Sequence, residues 1–139
     1  MKNLLWYITA ASALCSVSSL SERRYHFIYE PKSWTEAQSY CREKYTDLVT
    51  ADNLDIVKML YEMGDPNKLD PFAEAWIGLY RDETIWKWLS DYNPNFSNWA
   101  SGQPDNLWYR AGCGGMYSTG KWHDAYCEEL FTLVCSNVT

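Results

Sequence analysis

A chain of 139 residues, with 47% hydrophobic, 17% aromatic and 22% charged side chains, has room for one domain and is too apolar to be disordered throughout. Its formal charge of −6 argues against a nucleic-acid partner, which needs Lys and Arg against phosphate. No apolar run reaches the ~18 residues of a membrane span, and eight Trp with eleven Tyr call for a core, or a surface, built from large rings.

The first segment, residues 1–19, reads as a secretory signal peptide. Lys2 supplies the basic start, Leu4 to Val17 the mostly apolar run, and Ser16, Ser18 and Ser19 the small residues at the cut. Residues 20–139 are then the mature, secreted domain, and loss of Lys2 takes the charge from −6 to −7. Cys15 leaves with the leader. Cys41, Cys113, Cys127 and Cys135 remain, which in a secreted chain means two disulfides with three connectivities open. Zinc is the weaker use of these cysteines, because no C-x-x-C pair exists and the chain has only two histidines.

Tyr25 to Tyr29 alternates as a strand does. Ser33-Trp34-Thr35-Glu36 fits a capping box, and Trp34, Ala37, Tyr40, Cys41, Lys44 and Tyr45 follow at helical spacing. A second helix is predicted from Asp52 or Asn53 to Gly64, presenting Leu54, Val57, Leu60 and Tyr61 on one face. Strands are predicted at Trp76–Leu79, Ile85–Leu89, Lys121–Asp124 and Phe131–Cys135. Between them, 91–120 is rich in Asn, Ser, Gly and Pro and reads as a long irregular loop of the functional kind. Helices early and strands late make the fold class α+β.

Taken in order, Trp76-Ile77-Gly78-Leu79, Trp99, Gln103-Pro104-Asp105, Trp122-His123-Asp124 and the four cysteines resemble the C-type lectin-like domain over about residues 25–136. Single-domain secreted members of this kind are similar to fish lectins. The resemblance implies two helices, two small antiparallel sheets, a long loop and neighbouring termini. It also implies the pairings Cys41–Cys135 and Cys113–Cys127. Non-catalytic recognition of a glycan or glycoprotein is the function that goes with it. Nothing in the sequence suggests an enzyme: His26 and His123 lack a Ser or Cys partner in a recognisable motif, and Glu128-Glu129 reads as a solvated face.

Sugar-binding members hold calcium in the long loop, and Gln103-Pro104-Asp105 matches the triplet that goes with galactose-type sugars. The proline, usually cis in the family, turns its flanking side chains toward one ion. Gln103, Asp105 and Asp124 are the implied metal and carbohydrate ligands, and Trp108 the ring that stacks on the sugar. Two positions depart. Ala111 stands where an acidic ligand is expected, and His123 replaces an amide that calcium, a hard cation seeking oxygen, prefers to imidazole. Arg81 likewise stands where a second calcium position needs an acid. Calcium is therefore possible but weak or conditional. The competing expectation is a calcium-independent protein-binding module, with Trp108, Tyr109 and Arg110 as interface residues. Trp99 and Trp122 read as core. Asn95 and Asn137 head sequons and are glycosylation candidates. Ice binding, another use of the fold, wants a flat repeating face that the threonines here do not form.

Overall fold

The structure is a computed structural model describing residues 23–65, 67–68, 74–106 and 111–138. Residues 1–19, read as a leader, and Trp108, Tyr109 and Arg110 lie outside the described residues. Strand β1 (Arg23–Lys32) runs antiparallel to the last strand, β7 (Phe131–Val138), with Arg23 opposite Val138, so the two ends of the domain lie side by side. The chain then enters helix α1 (Trp34–Lys44). The Ser33 hydroxyl accepts from Glu36 N–H, and the Glu36 carboxylate accepts from Ser33 N–H. That closes the predicted capping box and satisfies two donors a helix start leaves free. α1 buries Trp34, Ala37 and Cys41, and the Trp34 indole N–H donates to the Ile77 carbonyl at 2.9 Å.

A two-residue strand, β2 (Asp47–Leu48), adds to β7 before helix α2 (Leu54–Met63), which Asn53 caps by accepting from Ile56 N–H at 3.0 Å. The buried face of α2 is Ile56, Val57 and Leu60. Leu54 and Tyr61 are exposed, contrary to expectation. At about 100° per residue they lie roughly a quarter-turn from that stripe, so spacing alone placed them with it.

β3 (Glu74–Asp82) pairs antiparallel with β4 (Ile85–Trp88) and β5 (Cys113–Tyr117), and β5 with β6 (Trp122–Ala125). The antiparallel ladders on either side are joined by a short parallel contact of β3 with β7, giving the order β1-β7-β3-β5-β6 in one seven-stranded sheet, with β2 on β7 and β4 on β3. β5 lies inside the stretch read as irregular. Its Cys-Gly-Gly-Met-Tyr sequence carries no alternation, yet its glycines are required by packing. A Cβ on Gly114 would stand 2.6 Å from Leu79, and one on Gly115 would stand 2.8 Å from the His123 ring.

Disulfides join Cys41 to Cys135 and Cys113 to Cys127, the pairings the resemblance implied. The first ties α1 to β7, and the second ties β5 to the turn after β6. Among the described residues no helix is long and apolar enough to cross a membrane.

Candidate functional site

Tryptophans carry the long loop to β6. Trp122 meets Trp88, Trp99 and Phe96 edge-on at 5.2, 5.7 and 5.7 Å, and Trp99 meets Trp86 at 5.0 Å. Each such pair adds about 0.5–1.5 kcal/mol beyond the area it buries. Backbone bonds follow the rings: Trp122 N–H donates to Asn98 O, Ala100 N–H to Trp122 O, and Gln103 N–H to Ala100 O. Trp122 is core, as expected, and Trp99 packs partly buried against it. The loop therefore arrives at residue 103 beside the two residues that follow Trp122 in β6.

There the sequence-predicted residues Gln103, Asp105 and Asp124 come together. The Gln103–Pro104 bond is cis. Asp105 N–H donates to Asp124 Oδ1 at 3.0 Å and Asn106 N–H to Asp124 Oδ2 at 2.6 Å. In return, Asp124 N–H donates to Gln103 Oε1 at 3.3 Å. The Gln103 amide also donates to Asp105 Oδ2 at 3.4 Å. Asp124 is only 9% exposed, and burial, more than the nearby Asp105, pushes its carboxyl up despite the two amides that favour its charge. Arg81, which stands where a second calcium position needs an acid, donates to Asn106 Oδ1 at 2.9 Å.

Gln103, Asp105 and Asp124 line a cavity of about 230 Å³ together with Glu74, His123 and Glu129. His123 is 2% exposed. Its ring lies in the space left by the missing side chain of Gly115 and stacks on Tyr117 at 4.2 Å. Nδ1 approaches the Asp124 carbonyl at 3.4 Å, and Nε2 faces Glu74 Oε1 at 3.6 Å with no hydrogen-bond partner. Burial holds the imidazole below its ordinary value, so the neutral ring is favoured. Glu74 is pushed up by burial first and by Glu129 second. Glu129 is exposed, as its reading on a solvated face requires, but it also lines this cavity.

These donors are a poor set for calcium, which wants 6–8 oxygens at about 2.3–2.6 Å. Ala111 is 3% exposed and offers no side-chain oxygen. His123 is committed to its stack, and both Asp124 oxygens already accept from backbone N–H groups. Among the described residues no three His, Cys, Asp or Glu side chains gather as a metal-binding group. The residues therefore fit a family-type calcium site poorly.

Trp108, read as the sugar-stacking ring, lies outside the described residues. Asn95 is exposed in a turn where its N–H donates to Asn93 Oδ1, whereas Asn137 is half-buried in β7. Sequence reasoning did not find Glu74 or Tyr117. Glu74 opens an apolar strand and carries no motif, and only the Gly114-Gly115 pair hinted that something bulky crosses β5.

The profile of the lectin C-type domain matches residues 30–137. The chain is 32% identical to L-selectin of Bos taurus over 121 residues, which is 80% of this chain and 31% of that protein. Among solved structures, the mouse scavenger receptor C-type lectin carbohydrate-recognition domain superposes with a TM-score of 0.73 at 26% identity, over 85% of this chain and 92% of that one. The cow carbohydrate-recognition domain of CD23, determined in the presence of a GlcNAc2Man3 oligosaccharide, superposes at 0.75 and 26% identity, over 86% and 91%. The chain spans about a third of the length of the curated relatives it matches.

Proposed function

The chain belongs to the C-type lectin domain family, and from that premise we propose that it is a secreted, non-catalytic module that recognises carbohydrate at the Gln103–Asp105 loop. The carrying observation is the convergence of Gln103, Asp105 and Asp124 at the rim of one cavity. The oligosaccharide in the CD23 structure supports a glycan as the ligand class, and the Gln-Pro-Asp triplet supports a galactose-type sugar. Calcium adds weakly and conditionally, since the donor set is depleted. The basic, apolar and small-residue order of the leader supports secretion.

The backbone N–H bonds to both Asp124 oxygens favour a second reading, a calcium-independent protein-binding module, because they occupy acceptors that an ion would take. One experiment separates the two. Calorimetry at millimolar calcium and galactose is expected to show binding that Asp105→Ala removes, while chelator lowers the melting temperature only slightly. No heat under those conditions overturns the sugar reading, and a large chelator-induced drop in melting temperature overturns the calcium-independent one.

A further inference from the structure

We infer that Arg81 is a positioning residue for the loop rim: from β3 its guanidinium holds Asn106, and through Asn106 it keeps the Gln103–Asp105 segment in its binding shape. The inference rests on the sugar reading above and names the device that presets that same site.

Asn106 is where the loop turns. Its φ of 50° is left-handed, a conformation that costs most side chains energy but suits Asn. Successive N–H groups gather round one anion where the backbone turns in this way, whereas along an extended strand they alternate sides. The N–H groups of Asp105 and Asn106 accordingly reach the two oxygens of Asp124. Those bonds hold the turn from the β6 side. Arg81 holds it from β3, where its Nη1 donates to Asn106 Oδ1 at 2.9 Å.

The setting of Arg81 suits this work. In the ladder it stands opposite Trp86 of β4, and Trp86 meets Trp99 of the loop at 5.0 Å. Its backbone N–H donates to Gly112 O at 2.9 Å, so one residue holds the outgoing arm of the loop at 106 and the returning arm at 112. The guanidinium stays charged at any working pH, and its charge-assisted bond is half-buried and stronger than a neutral one. Without that bond Asn106 relaxes to an ordinary backbone conformation, which turns the two N–H groups away from Asp124 and releases Asp105. A loop preset in its bound shape gains affinity, because ligand binding then need not order it. The support comes from a side chain at the place where a second calcium position needs an acid.

Amide hydrogen exchange, read by NMR on the purified chain in chelator, tests the anchor without any sugar. Arg81→Met is expected to speed exchange at Asp105 and Asn106 by at least about tenfold. The Val49 N–H, which donates to Val134 O in the core, should stay within about threefold of wild type. Asn106→Gly keeps the left-handed turn without steric strain and removes only the acceptor. It is expected to match Arg81→Met, and the double variant to exchange no faster than either alone. Galactose affinity is expected to fall at least about threefold in both single variants. Unchanged exchange at Asp105 and Asn106, equal acceleration at Val49, or additive effects in the double variant overturn the anchor. Accelerated exchange with galactose affinity at the wild-type value overturns the positioning role. A wild-type chain that binds no galactose overturns the sugar reading, while accelerated exchange at Asp105 and Asn106 alone still upholds the anchor.

Discussion

Asp124 shows how one buried carboxylate can hold a loop to a strand. In the resemblance it is a metal ligand; in the fold its two oxygens accept the backbone N–H groups of Asp105 and Asn106 and pin the loop to β6. Hydrogen bonds to a charged acceptor contribute about 1.5–3 kcal/mol each, and a buried donor left without a partner costs a similar amount. Asp124→Ala is therefore expected to lower stability by about 2–4 kcal/mol in chelator. Asp124→Asn, with one acceptor oxygen kept, should lose less. Urea melts of the two variants decide it: equal stability of wild type and Asp124→Ala in chelator refutes the clamp. Gln103, Asp105 and Asp124 were legible in the sequence because a motif names them. The bonds among them were not, since no motif says which lone pair a backbone amide 18 or 19 positions away will take.

Among the elements, β3 is packed directly against backbone at Gly78. A Cβ on Gly78 would lie 2.9 Å from the carbonyl oxygens of both Leu48 and Val49, while Gly78 N–H donates to Val49 O at 2.8 Å. Backbone cannot move aside as a flexible side chain can, so Gly78→Ala forces β2 and β3 apart. We expect a loss of about 1–3 kcal/mol, read as a lower denaturation midpoint with an unchanged slope. A variant as stable as wild type would show that the two strands slide freely. The two helices were predictable because capping residues and spacing act within a few positions. β5 was not, because its strand character comes from neighbours: Leu79 and His123 occupy the space its glycines leave.

For the molecule as a whole, the two disulfides enclose very different lengths of chain, with sequence separations of 94 for Cys41–Cys135 and 14 for Cys113–Cys127. Loop-closure entropy assigns roughly 4–5 kcal/mol to the long bridge and about 3 to the short one. The Cys41→Ala/Cys135→Ala pair should accordingly lower the melting temperature more than Cys113→Ala/Cys127→Ala, and the reverse order would place the stabilisation in the loop rather than in the closed ends. Local sequence determined the helices, most of the strands, the family motifs and the four bridging cysteines, since each is written in residues close together or in a recognisable pattern. Tertiary structure decided the joining of the ladders through β3 and β7, the Asp124 clamp, the seat of His123 over Gly115 and the approach of Glu74 and Glu129. Those features depend on which distant segments share a wall, and a charge or lone pair acquires its meaning only from what the fold sets opposite it.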